Sequence, residues 1–324
     1  MTSEEITMGR IITLAKRYTV FGMKAFVLDS REIKASLKNK NKLRSGVTGK
    51  ISIDDTSIYI LGKIERRILI DVRVHNEEKT EIKIATKSAI SGDIIESIYD
   101  VNTLSQGKFS KCEMCLPIKD SVILVEKLEL LGSKSDNSNG ENEILIHPAS
   151  YIFTNPIAGG EVAQFNVEYI GLSLKNSMRY GTFNRLRRHK KRRCIEYDAD
   201  PRMSCFAFVV ELGVVNDGVL ARTYRQTEQP LRDAATKIYE AALINYFKPI
   251  HNKKNVNNFS TNEISRAFEE IGTPLLSIEL NMENFNAKFF SLSAPRLCSP
   301  CFPVHCQEGP FLTDSEYFRN FEPD

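Results

Sequence analysis

The sequence lacks any apolar run near the roughly 20 residues that a membrane-spanning helix requires, so no span is expected in its 324 residues. Its start, MTSEEITMGRIITLAKRY, carries Glu4 and Glu5 and has no continuous apolar stretch, so no secretory signal is expected. A strong charge excess is also missing: a net charge of +3 is too small to imply nucleic-acid binding by itself. The seven cysteines are an odd number and do not suit a disulfide scaffold. A chain this long can bury a core without one, and reduced thiols suit a cytoplasmic setting. No internal repeat is visible.

What is present is ordinary in bulk, with 42% apolar and 26% charged residues, as in soluble globular proteins. The length suits about two domains of roughly 150 residues. The early segments MKAFVLD, ISIDDTSIYILG, RRILIDVRV, EIKIAT and DSVILVEKLELL are rich in β-branched residues. Ile68, Ile70, Val72 and Val74 alternate with other side chains, the period of a strand. Residues 1–131 therefore read as a β-rich N-terminal domain, with SLKNKNKLRSG as a basic loop. The stretch GSKSDNSNGENE has little to bury and predicts a linker over residues 132–142.

Beyond it, EILIHPASYIFTN and AQFNVEYIGLS predict an antiparallel hairpin, and MSCFAFVVELGVV a buried strand. A basic helix is expected over 183–193 and a long one over 229–247, with Pro230 in its first turn and Pro249 past its end. Residues 143–255 form the second expected domain and 256–324 a C-terminal extension. The extension holds a further amphipathic helix, TNEISRAFEEIG, and a strand, TPLLSIELN. The predicted class is α+β.

Charge is uneven along the chain: eight of the nine residues from Arg185 to Arg193 are cationic or His. Arg185 and His189 share one helix face, and a guanidinium offers a planar fork of donors to phosphate oxygens. Arg187, Arg188, Lys190 and Lys191 either grip backbone phosphates or face solvent. Glu240 shares its helix face with Leu243, Ile244 and Phe247. A carboxylate on an apolar stripe gains from a cation or an arginine partner.

Read in order, Tyr151 in a first strand, Tyr169-Ile170-Gly171 in a second, Arg185 and His189, Glu240, and Pro249 through Asn252 form a pattern. It resembles the GIY-YIG nuclease family over residues 146–253. Ala149 and Ser150 stand where the family carries Gly and an aliphatic residue. The resemblance implies a small α/β domain with an antiparallel sheet flanked by helices. It also implies a divalent-metal-dependent endonuclease acting on nucleic acid, DNA in the first instance. Tyr151, Tyr169, Arg185, His189, Glu240 and Asn252 would form its site, with Glu240 holding Mg²⁺ or Mn²⁺ and one tyrosine activating water. The N-terminal domain would then select the target or bind a protein partner. The alternative is an inactive nucleic-acid-binding or regulatory protein, favoured by the altered first triplet.

The cysteines pose a separate question. CEMC (Cys112, Cys115) and CSPCFPVHC (Cys298, Cys301, His305, Cys306) have metal-ligand spacings. They read either as a structural Zn²⁺ site or as unliganded thiols.

Overall fold

The protein is described from a computed structural model that covers residues 18–29, 33, 58–105, 107–120, 125–133, 143–147, 149–174, 182–216, 219–222, 229–256, 261–271, 275–280, 286–295 and 301–305. It is a mixed α+β fold, rich in strands and in antiparallel pairing. In chain order the strands are β1 (Tyr18–Asp29), β2 (Ile58–Glu65), β3 (Arg67–Val74), β4 (Glu81–Ser88), β5 (Ile94–Asp100), β6 (Lys111–Asp120), β7 (Val125–Ser133), β8 (Glu143–His147), β9 (Ala158–Gly159), β10 (Ala163–Leu172), β11 (Met203–Asn216), β12 (Val219–Arg222), β13 (Leu275–Glu279), β14 (Ala287–Phe290) and β15 (Cys301–His305). The helices are α1 (Val101–Leu104), α2 (Thr182–Arg188), α3 (Lys190–Tyr197), α4 (Gln229–Phe247) and α5 (Thr261–Ile271), with a 3₁₀ turn at Ala149–Phe153.

The principal sheet runs β14-β10-β2-β11-β1-β13-β15, with β12 paired to β11. Its inner strands are apolar on both faces, as IYILGKIE in β2 illustrates. Such a strand is stable only when covered on both sides. Alternation divides β2 between the two faces: Ile58 and Ile60 enter a large core with α4 and α5, while Tyr59 and Leu61 enter a smaller one with α2 and α3. The large core is dense in phenylalanine, and Phe153, Phe165, Phe206, Phe208 and Phe289 meet mostly edge to face.

Several sequence expectations change here. The strand-rich first part is not a unit apart, because β1 and β2 lie inside the same sheet as β10 and β11. Local period reveals a strand but not its partner, so this pairing was not readable. The chain leaves the sheet after β2 and returns at β10. Between them stand two small sheets, β3-β4-β5-β9 and β6-β7-β8, which share a core of Leu69, Ile82, Tyr99, Phe109 and Leu128. The linker expected at 132–142 begins within β7 and ends at β8, and these strands pair with each other. That stretch joins a hairpin rather than two domains, and residues 134–142 lie outside the described set.

The strand at 143–147 pairs with β7 and not with β10, so the predicted hairpin is absent. The C-terminal extension is no appendage either, since β13, β14 and β15 complete the principal sheet. The helix at 229–247, the helix at 261–271 and the strand at 203–216 form as expected. The basic helix is broken at His189 into α2 and α3.

Among the described residues, no helix is long and apolar enough to cross a membrane.

Candidate active site

Tyr59 and Tyr169 lie on adjacent paired strands, β2 and β10, with ring centroids 6.1 Å apart. Gly171 makes this packing feasible. A Cβ there would sit 2.5 Å from the Tyr59 hydroxyl oxygen and 2.8 Å from the Tyr169 ring, well inside van der Waals contact. Gly171 lies within a strand, beneath a phenol.

Above these rings lie α2 and α3. Leu186 and Ile195 are buried and anchor both helices to the sheet. The buried Arg192 donates from Nε to the Leu186 carbonyl at 2.9 Å and from Nη2 to the Arg187 carbonyl at 3.2 Å. It also pairs with Glu196. This arginine is thus occupied in closing the end of α2, where orphan carbonyls need donors.

The break between the helices places Arg185 and His189 over Tyr59. Arg185 Nε donates to the Tyr59 hydroxyl at 3.0 Å, and that hydroxyl lies 3.1 Å from His189 Nε2. With its oxygen accepting from Arg185, the Tyr59 O–H points its proton at the imidazole. The Tyr169 ring packs beside both, with its centroid 6.1 Å from that of Tyr59 and 5.0 Å from that of His189.

The electrostatics follow from burial. Desolvation pulls His189 down to about 4, helped by Arg185, Arg192 and Lys191, so its imidazole is neutral and able to accept at pH 7. Burial raises both phenols above their usual range, and the Glu240 charge adds to the shift at Tyr169. Tyr59 is fully buried, whereas Tyr169 is half-exposed and meets solvent.

Glu240 comes from α4, on the other face of the sheet. It reaches this group by passing the edge of β10. The pairing of β14 with β10 stops at Asn166, so among the described residues the backbone beyond has no strand partner on that side. The Glu240 carboxylate accepts the Leu172 N–H there. Desolvation lifts its carboxyl to about 7, opposed chiefly by the Arg185 charge and reinforced by Glu263.

Asn252 takes the preceding position on the same edge. Its Oδ1 accepts the Ile170 N–H at 2.9 Å and its Nδ2 donates to the Ile170 carbonyl at 2.8 Å. Asn252 therefore imitates one residue of a neighbouring strand, while its own N–H bonds to the Pro249 carbonyl at 3.0 Å.

Five of the expected site residues are thus drawn to one region: Tyr169, Arg185, His189, Glu240 and, behind them, Asn252. Tyr151 is not brought there. It is buried in the core between the two small sheets and lines a cavity of about 250 Å³ beside Ile84, Tyr99 and Met203. The tyrosine that packs against Tyr169 and bonds to Arg185 is Tyr59. A signal was available, since Ile58 precedes Tyr59 in the aliphatic-Tyr order of the triplet.

Of the remaining basic residues, Arg188 and Lys190 are exposed and Arg187 and Lys191 are half-buried. Cys112 and Cys115 are free thiols buried in the small-sheet core. Cys298 and Cys306 lie outside the described residues, as do the side chains of Cys301 and His305. Among the described residues, no three His, Cys, Asp or Glu side chains cluster as metal ligands. Comparison with known protein families, with curated proteins and with solved structures finds no match.

Proposed function

We propose that this chain is a divalent-metal-dependent endonuclease that hydrolyses nucleic-acid phosphodiesters, with DNA as the first substrate to test. The observation that carries the reading is the meeting of a desolvated carboxylate, a guanidinium and two stacked phenols from four segments. Glu240 fits a metal ligand because its carboxyl is withdrawn from water and held near neutrality, a penalty that a bound cation offsets. A single protein carboxylate suffices for Mg²⁺ or Mn²⁺, which commonly fill their shell with waters and substrate oxygens. When bound, the ion supplies Lewis acidity at the phosphate.

The chain's own groups divide the remaining work. Arg185 spends its Nε on Tyr59, leaving its terminal nitrogens to meet the charge that builds on phosphate oxygens. Tyr169 faces solvent and is the phenol that receives the proton of the attacking water. As it does so, its own proton passes by way of the stacked Tyr59 phenol to His189 Nε2, which lies 3.1 Å from the Tyr59 hydroxyl. The imidazolium that forms holds the proton lost by water. Tyr59, sealed from solvent, serves as the link.

The reading of an inactive binding protein drew on the atypical residues before Tyr151. With Ile58-Tyr59 supplying the phenol, it loses that support.

Incubation with plasmid, single-stranded DNA and RNA, with and without Mg²⁺, tests the proposal. Metal-dependent cleavage that disappears in Glu240→Gln is the expected result. Cleavage that persists in Glu240→Gln, or no cleavage of any substrate, would overturn it.

A further inference from the structure

The edge of β10 carries a second feature, built from residues that the proposed chemistry does not use. The register between β10 and β2 shifts between Val167 and Tyr169, a bulge at Glu168. Bulges next to active sites re-aim side chains. Here the bulge leaves Glu168 without a partner on β2 and buries its carboxylate, which is 8% exposed.

Three side chains surround that charge. Asn166 Nδ2 donates to Oε1 at 2.8 Å, Lys63 Nζ lies 3.5 Å from the same oxygen, and His251 Nε2 lies 3.6 Å from Oε2. The His251 backbone N–H also donates to the Glu168 carbonyl at 3.1 Å. The unpaired edge is therefore covered in steps of two residues. His251 meets Glu168, Asn252 meets Ile170, and Glu240 meets Leu172. All three partners belong to α4 or to the few residues after it.

Resting on the nuclease reading above, we infer that Glu168 and His251 are positioning residues, a clamp that seats the end of α4 on the β10 edge and so fixes the Glu240 carboxylate beside Tyr169. The argument is geometric. The chain turns after α4 through Lys248, a non-glycine residue at φ +47°, a conformation that local preference does not favour. Something must hold the following loop in place, and the bonds from His251 and Asn252 to β10 do so. Without the Glu168 carboxylate, Lys63 loses its ion-pair partner and the His251 side chain loses the group it faces across the edge. The loop then loses its seat, and Glu240 with it.

The test uses the full chain with Glu168→Gln and, separately, His251→Gln. Two readouts are needed: amide hydrogen exchange at Ile170 and Leu172, and the Mg²⁺ dependence of cleavage. The clamp predicts that exchange at both amides accelerates about tenfold or more. It also predicts that half-saturation by Mg²⁺ shifts about five- to tenfold higher, while cleavage at saturating Mg²⁺ stays within about threefold of wild type. Unchanged exchange in both variants would overturn the clamp. So would an equal loss of rate at every metal concentration, which marks general damage. If the wild-type chain cleaves nothing, the nuclease reading fails by itself. The clamp is then decided by the exchange rates and by Mn²⁺ affinity from electron paramagnetic resonance, with unchanged values again overturning it.

Discussion

The two faces of the principal sheet receive alternate residues of the same strands and put them to opposite uses. On the α4 and α5 face, Ile58, Ile60, Phe206 and Phe208 join a large core of aliphatic and aromatic side chains. On the α2 and α3 face, Tyr59, Leu61 and Ala207 support a thinner layer in which Arg185, His189 and Tyr169 hydrogen-bond or stack around one buried hydroxyl. The first face buys stability by volume; the second keeps polar groups desolvated, where their charges act strongly. Glu240 belongs by its helix to the first face and by its charge interactions to the second, reaching across at the β10 edge.

The sharpest way to separate the faces is one substitution on each. Glu240→Gln keeps the shape and removes the charge, so cleavage should fall about a thousandfold or more while the melting temperature holds or rises. A rise is expected because an ionised carboxylate is disfavoured at that site above pH 7. Phe208→Ala removes a ring from the aromatic core and should cost about 3–5 kcal/mol, with metal-dependent rate per folded molecule little changed. Denaturant unfolding and initial rates on the same samples decide the matter. Equal effects of both variants on both quantities would erase the distinction.

Gly171→Ala attacks the thin face alone. The added methyl must displace the Tyr59 hydroxyl, 2.5 Å from its position, and that hydroxyl carries the bonds to Arg185 and His189. A loss of about a hundredfold in kcat is expected, since misplacement by about 1 Å has that scale. Tyr59→Phe should follow at about ten- to a hundredfold, removing the proton link while leaving the ring. Tyr151→Phe, by contrast, should leave cleavage unchanged, since Tyr151 lies in the small-sheet core. A loss in Tyr151→Phe as large as in Tyr59→Phe would return the role to Tyr151.

That pair of tyrosines also marks what the sequence could tell. Tyr169, Arg185, His189 and Glu240 were placed together because each sits in a segment whose local pattern names its element: a β-branched strand, a basic helix, an apolar helical stripe. Asn252, in the loop past the helix, came only from the family resemblance. Tyr59 sits in an equally clear strand, yet it lies about 110 residues before Tyr169, and two small sheets intervene. Local period carries no information on which strands pair across such a distance. For the same reason the linker reading failed: Gly, Ser and Asn are as suited to a hairpin loop as to a tether. The clamp was illegible too, because Asn252 and Ile170 meet across 82 residues. Nothing in Glu168 or His251 alone reveals that a bulge turns one toward the other.

The smallest predicted effect concerns pH. A proton and a metal compete for Glu240, whose carboxyl is pushed up to about 7 from 4.5. The apparent Mg²⁺ affinity should therefore fall about tenfold per pH unit below 7 and level off above it. In the metal-free chain the sign reverses for stability. A carboxyl with a raised folded value stabilises the fold when protonated; that contribution is complete below 4.5 and is lost as pH rises through 7. His189 works against it at the acid end. Held near 4 in the fold against 6.5 free, it costs stability as pH drops through that interval. The two oppose each other between about pH 4.5 and 6.5, and between about 6.5 and 8 the Glu240 contribution stands nearly alone. Thermal unfolding of wild type and Glu240→Gln across that window should diverge by a few degrees, the wild type falling behind as pH rises, and added Mg²⁺ should close the gap by binding only the wild type. Parallel curves would mean that the Glu240 carboxyl is as well solvated as any on the surface, and the thin face would then have no desolvated acid to offer a cation.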